Sequence, residues 1–203
     1  MFYNFTSSIL LMQDQFKNFK INFSEFDLKP EYFDHTSCLH GSGHVYRVMH
    51  HVLKLGTTLK FEHETKLAFF AAYIHDMSRQ HDGKCSEHGQ RAADDKLPLF
   101  LPLFRNNGMK EEDIPYIYAA VANHSLPVDL SQNDPNYKVT AILKDADALD
   151  RIRISADDLK LKFLRISESA SLIPFAEELF FQTKDKKISW FEEVMEIAGK
   201  IKL

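Results

Sequence analysis

The sequence predicts an all-α fold, and three observations carry that expectation. Apolar residues recur at helical spacing over long segments. Only 7 Gly and 7 Pro are spread over 203 residues, too few for the turns of an all-β chain. No internal repeat, low-complexity tract or Gly/Ser/Pro-rich linker divides the chain. The length suits one domain, read as 1–203, with an informative core at about 40–153, an N-terminal extension and C-terminal helices.

Residues ~1–34 form an aromatic-rich preface without a clear period. From His44, the positions Val48, His51, Val52 and Leu55 make a helical stripe, with Gly56 as its expected C-cap. A second helix is expected over Glu62–Asp76, on Leu67, Phe70, Ala71 and Ile74. Met77 to Lys84 is polar and turn-like, and Glu87 to Lys96 is helical again. Leu97 to Phe104 carries two prolines and is expected to be irregular. Glu111 to His124 sets Ile114, Ile117, Val121 and His124 on one face. Asp134-Pro135, an N-cap followed by an N1 proline, opens a helix expected to reach about Arg153. Ser155, with Asp157 and Asp158 in the first turn, predicts another helix to about Ile166. Ser189-x-x-Glu192 reads as a capping box before the last amphipathic helix.

Composition excludes several function classes. Hydrophobic residues at 44% and charged residues at 27% are ordinary for a globular chain. The net charge of -4, with Lys and Arg scattered, advertises no surface for long nucleic acid or membrane. A local cationic pocket for a small phosphate remains compatible with it. Cys38 and Cys85 form no Cys-x-x-Cys pair, so a reducing cytoplasm is expected rather than a disulfide framework. Ile9 to Met12 is too short, and lacks the basic lead, for a signal peptide or a membrane span. The 17 Phe suggest aromatic-filled helix interfaces, and aromatic termini suited to a partner subunit make a homodimer an open expectation.

The chemistry concentrates in the histidines, 10 in all and clustered between His35 and His81. His75-Asp76 closes an apolar run, Leu67 to Ile74, that reads as buried helix. A histidine and an aspartate there are costly to desolvate unless something binds them, and a divalent cation suits both. Adjacent helical residues stand about 100° apart, so the two share an ion only off the helix end. His44 begins its helix one turn before Val48 and can face inward, with His40 a second candidate from the same segment. His50 and His51 read as bystanders. In the last acidic segment, Leu143, Ala146 and Asp147 continue the inward stripe of Val139 and Ile142. Asp147 is therefore the carboxylate placed to enter a buried site, Asp150 lies one turn on, and Asp145 faces out or toward the substrate's surroundings. The bland alternative is an acidic face paired with Lys144, Arg151 and Arg153.

These segments resemble the HD-domain metal-dependent phosphohydrolases. His44-Val-Tyr-Arg-Val48 resembles the family's first element, Tyr73-Ile-His-Asp76 its doublet, and Asp145-Ala-Asp147-Ala-Leu-Asp150 its last. The resemblance runs from about His40 to about Arg153. It implies an HD-domain-like helical bundle with His44, His75, Asp76 and Asp147 on a divalent ion (Mn, Mg, Fe, Co, Ni or Zn). Water on such an ion drops from a pKa of about 15.7 toward about 7, giving hydroxide to attack phosphorus. The implied substrate is a nucleotide or similar small phosphorylated metabolite. Asp76 or Asp147 would accept a proton. Arg79, Lys84, Lys144 and Arg151 would meet phosphate charge. Extra histidines in some members raise a second ion or a site-lining role for His40, His88 and His124, the last also a catalytic candidate. The chain departs from the two-metal phosphodiesterase pattern, because Arg79 stands where a lysine is expected and His124 is unpaired. His81-Asp82 is a weaker rival doublet in a turn-like setting.

Two other function classes stay open: a non-catalytic metal- or nucleotide-binding helical module, and a di-metal oxygenase on the same scaffold. Gly41-Ser-Gly43 lacks the strand–elbow–helix setting of a nucleophilic serine, and no phosphate-binding glycine loop or dinucleotide fingerprint occurs.

Overall fold

A computed structural model describes residues 15–155 and 157–202. Among them there are helices and no strand, so the fold is all-α. The helices are α1 (Ser42–Leu59), α2 (Glu62–Ile74), α3 (His88–Arg91), α4 (Leu97–Asn106), α5 (Ile114–His124), α6 (Tyr137–Leu149), α7 (Ile173–Thr183) and α8 (Phe191–Gly199). α1 packs on α2 and α6, and α2 and α6 both pack on α5, giving a four-helix centre. α3 joins α4 through a π turn, Ala92–Lys96, and lies against α5. α7 and α8 close the other flank of α1. The apolar strip Ile9–Met12 falls outside the described residues. No described helix is long and apolar enough to cross a membrane.

Phenylalanine determines how the preface docks. Residues 17–34 make three single-turn 3-10 segments, and Phe16, Phe19, Phe23 and Phe26 are buried. Phe26 meets Phe69 edge-on at 5.0 Å and Tyr73 at 5.3 Å, while Phe23 reaches both Phe69 and Phe191 at 5.7 Å. Edge-to-face pairs at these separations add to the burial of the rings themselves. Two buried tyrosines fasten the backbone between them: Leu28 N–H donates to Tyr46 Oη (2.7 Å), and Tyr73 O–H donates to the Asp27 carbonyl (2.9 Å). The segment thereby covers α2 while leaving the His75 end of that helix open to the site.

Five local expectations are corrected. Gly56 does not end α1, which runs to Leu59 and caps on Lys60 in the left-handed region (φ 59°). Gly56 instead allows close helix approach, since a Cβ there would sit 2.0 Å from Thr65 Oγ1 on α2. Leu97–Asn106 is helical despite its prolines. Pro98 directly follows the π turn Ala92–Lys96, and beyond Pro102 the ring of Phe104 stacks on Phe70 at 4.7 Å. Ser155 opens no α-helix: its hydroxyl donates to Asp158, and the chain passes on through a 3-10 turn at Leu161–Phe163. The capping box is displaced, because Glu193, not Glu192, accepts from the Ser189 N–H (3.2 Å), and Trp190 takes the N-cap position. α6 also starts at Tyr137, two residues late, because Asp134 holds a turn by accepting from Asn136 N–H (2.8 Å); past Leu149 it tightens into a 3-10 turn, Asp150–Arg153.

His50 and His51 are buried in this core, stacked on or edged against Phe175 (5.4 and 6.2 Å). Neither ring nitrogen of His51 has a hydrogen-bond partner. Burial therefore holds His51 neutral, with its pKa lowered to about 4.

Two outcomes follow from this packing. Ala at position 56 would gain about 1 kcal/mol from helix propensity alone, yet the collision with Thr65 predicts a net loss of about 1–3 kcal/mol on urea unfolding of Gly56→Ala. A stabilised variant would contradict the close approach. His51 takes up its proton near its ordinary value when unfolded and only near pH 4 when folded, so stability falls as pH drops through this window. From pH 7.5 to 5 the loss traceable to His51 should be about 2 kcal/mol. His51→Leu should narrow that gap, and an unaltered gap would count against the assignment.

Candidate metal centre

The end of α2 is the centre of the site. α2 stops at Ile74, and the next residues turn away, with Met77 N–H on the Ile74 carbonyl (3.1 Å) and Arg79 N–H on the Asp76 carbonyl (3.2 Å). That turn lets His75 and Asp76 lean over the same space. His44 enters from the first turn of α1 and Asp147 from the last turns of α6. His75 Nε2 lies 3.3 Å from His44 Nε2, and His44 Nε2 lies 3.4 Å from both Asp76 Oδ2 and Asp147 Oδ1. His75 Nε2 is 3.8 Å from Asp76 Oδ2. The structure thus brings all four expected ligands together from three helices.

Tautomers decide what these contacts mean. A carbonyl oxygen only accepts, so a ring nitrogen bonded to one carries the proton. His75 Nδ1 donates to Ala72 O (2.7 Å), His88 Nδ1 to Cys85 O (3.0 Å) and His124 Nδ1 to Val121 O (2.6 Å). His44 Nδ1 is turned instead on the Asp150 carboxylate (2.7 Å). Neutral rings held by a carbonyl in this way present bare Nε2 lone pairs to the interior. Those of His88 and His124 face each other at 2.9 Å, and Asp147 Oδ1 is buried without a hydrogen-bond partner. Lone pairs so opposed repel unless a cation lies among them. Ligands about 2.1 Å from one ion stand about 3.0 Å apart at right angles and about 3.4 Å apart tetrahedrally. The separations of 2.9–3.4 Å match this pattern, His75 to Asp76 being wider at 3.8 Å, and the residues fit a divalent ion.

The electrostatics point the same way. Burial holds His75 neutral, with its pKa lowered to about 3. Burial and Arg153 oppose a charge on His44, but its contacts with Asp147, Asp150 and Asp76 outweigh them and raise it to about 9. A proton on His44 is thus the cation that this pocket collects by itself. Burial works against charge on Asp76 and Asp147 too, yet the protonated His44 beside both, with Arg153 beside Asp147, holds them far below the ordinary carboxylate range.

His40, His88 and His124 also join the cluster. His40 Nδ1 lies 3.0 Å from Asp76 Oδ2, His88 Nε2 3.0 Å and His124 Nε2 3.6 Å from Asp76 Oδ1. Asp76 therefore faces histidines with both oxygens. Gly89 makes this possible: a Cβ there would stand 2.6 Å from Val121 O and 3.0 Å from His124 Nδ1. α3 can lie directly on the end of α5 only without that side chain. His81 and Asp82 stay apart from the cluster, exposed, with Ser37 hydrogen-bonded to Asp82. His50 and His51 do not join it.

A cavity of about 730 Å³ opens over the cluster, and Arg79, Lys84, Lys144, Arg151, Arg153 and Arg165 line it. The four cations expected from sequence are not equivalent there. Arg79 Nε donates to Asp76 Oδ1 (3.1 Å), and Lys84 is exposed at the rim. Lys144 is buried with its amine on the Leu126 and Val128 carbonyls and Asp129, which makes it a structural tie. Arg151 is held by Asp158 and stands 5.1 Å over Phe163. Asp145 does not face out: it is fully buried and accepts from the Arg165 and Ile166 amides and the Ser169 hydroxyl, anchoring the chain after α6.

Sequence reasoning missed two groups. Asp150 is fully buried, where Arg47 Nε (2.6 Å) and Nη2 (3.0 Å) grip the carboxylate that orients His44. The signal was present as two i, i+3 pairs, His44-x-x-Arg47 and Asp147-x-x-Asp150, on facing helices. Arg153 is clamped by the Leu39 and Asp150 carbonyls and reaches His40 (3.2 Å) and Asp147 Oδ1 (3.6 Å). No local pattern distinguishes it from Arg151.

Compared with protein-family models, with curated proteins and with solved structures, the chain shows no match.

Asp150→Asn keeps the shape of the carboxylate while removing its charge. Divalent-ion affinity measured by calorimetry should fall about 10–100-fold, as when other outer-shell partners of metal-binding histidines are lost. Arg47 would then be buried unpaired, so urea unfolding should also show a loss of about 3–5 kcal/mol.

Proposed function

We propose that this protein is a metal-dependent phosphohydrolase that cleaves a phosphate ester of a nucleotide or a similar small phosphorylated metabolite. The observation carrying this reading is the convergence of bare Nε2 lone pairs with Asp76 and Asp147 beneath a cavity lined by arginines. The order of the ligands, His44, then His75-Asp76, then Asp147, is that of the HD-domain phosphohydrolases, and the all-α architecture agrees with membership.

A divalent ion bound there would supply an acidified water and polarise a phosphoryl oxygen. The chain's own residues do the rest. His44 and His75, each fixed by its Nδ1 hydrogen bond, are the imidazoles that would hold the ion, with their rings already oriented by those bonds. Asp147 is only partly covered and lines the cavity, so its carboxylate is the proton acceptor nearest an incoming water. Asp76 is already engaged by Arg79 and several histidines, which suits a ligand better than a base. Arg153 and Arg79, pre-positioned by backbone carbonyls, meet the phosphate charge, and Lys84 at the rim remains available to it. Lys144 and Arg151 shape the wall instead.

Elemental analysis of the purified chain, followed by a phosphate-release screen over nucleotides with Mn, Mg, Co and Ni, tests the reading. His75→Ala and Asp147→Ala should each abolish metal-dependent release while the circular dichroism of the helices is retained. Turnover unchanged in both would reject the site.

A further inference from the structure

The two oxygens of Asp76 serve different neighbours. Oδ2 faces His40 and His44, whereas Oδ1 faces His88 Nε2 (3.0 Å), His124 Nε2 (3.6 Å) and Arg79 Nε (3.1 Å). On the Oδ1 side, two imidazoles with committed Nδ1 protons and one carboxylate oxygen bring three lone-pair donors together, all buried. Their spacing is that of ligands on a single ion. Arg79 is the arginine bonded to the same oxygen, and it cannot lose its charge. Its Nη1 donates to the Gly83 carbonyl (3.2 Å) and reaches His81 O (3.4 Å), so the 77–84 loop holds it in place.

Taking the metal-centre reading above as given, we infer that Arg79 is a tethered cation whose charge weakens binding of a second divalent ion between His88, His124 and Asp76 Oδ1. It thereby sets how many ions the site holds. A carboxylate oxygen has room for one hydrogen bond and one ion, so Arg79 leaves a lone pair free for the ion and acts by repulsion. Because Oδ2 is turned the other way, an ion among His44, His75 and Asp147 feels Arg79 less. Like charges near a carboxylate change its affinity for a cation by about tenfold or more, the scale on which neighbouring charges move carboxyl protonation.

Arg79→Gln separates charge from position. Glutamine Nε2 lies as many bonds from Cα as arginine Nε, so the hydrogen bond to Asp76 is kept and the charge removed. Wild type, Arg79→Gln and the charge-retaining Arg79→Lys are titrated with Mn²⁺ alone by calorimetry, while electron paramagnetic resonance detects spin-coupled Mn pairs. In Arg79→Gln the second binding step should tighten by about tenfold or more, the first should move by a smaller factor, and coupled pairs should appear at lower Mn²⁺. Arg79→Lys should follow wild type, and adding His124→Ala to Arg79→Gln should remove the second step only. A second step in Arg79→Gln that is unchanged, weaker, or shifted no more than the first overturns the inference and leaves the metal centre standing. The same shift in Arg79→Lys also overturns it. Absence of Mn²⁺ binding in every protein would remove the metal centre, and this inference with it.

Discussion

The outward commitment of the imidazole Nδ1 protons is the constraint on which the site depends. Three of the four acceptors are backbone carbonyls three residues earlier: Ala72 for His75, Cys85 for His88 and Val121 for His124. For His75 and His124 these are carbonyls in the last turn of α2 and α5, which have no helical N–H to receive. Each histidine thus caps its own helix, and capping fixes the tautomer. His44 stands at the start of α1, where the free groups are N–H rather than C=O, so no local carbonyl can take its proton. Asp150 fills that role from across the bundle, and Arg47, one turn after His44, keeps the carboxylate charged and in place.

Helix ends can meet this way only if the backbones approach closely, and two glycines permit it. Gly56 brings α1 onto α2 beside Thr65, and Gly89 brings α3 onto the end of α5 beside His124. Bulky aromatics elsewhere provide the opposing stiffness, with Phe69, Phe70 and Tyr73 packed under the preface and Phe104. The site residues therefore sit at the rim of a core that fixes where each helix stops.

Periodicity made the central helices and the ligand set legible, because burial of His44, His75 and Asp147 follows from the same apolar stripes that define their helices. Legibility failed where tertiary contact overrides local chemistry. Two prolines in Leu97–Asn106 look disruptive until the ring of Phe104 is seen against Phe70, and Gly56 looks like a helix end until Thr65 is seen facing it. The Ser155 start signal competes with a side-chain bond to Asp158 that ends the helix before it begins. Asp145 reads as outward on a helix wheel, yet the returning segment at Arg165–Ser169 covers that face, and only a contact 20 residues away could reveal it.

The cations show the same limit and its consequence for chemistry. On sequence, Lys144, Arg151 and Arg153 are interchangeable basic residues near an acidic helix. In the fold, Lys144 braces the 126–129 loop, Arg151 stands over Phe163, and Arg153 alone reaches Asp147, with its guanidinium already held by two carbonyls. A charge fixed beforehand needs no reorganisation when an anion arrives, which is what makes such a group effective against developing phosphoryl charge. It also raises the cost of collecting further cations nearby. A site that concentrates carboxylates and bare imidazoles draws metal in, while clamped arginines at its edge limit how much it takes. In the proposed metal centre the balance between them, not the number of histidines alone, would set the ion count.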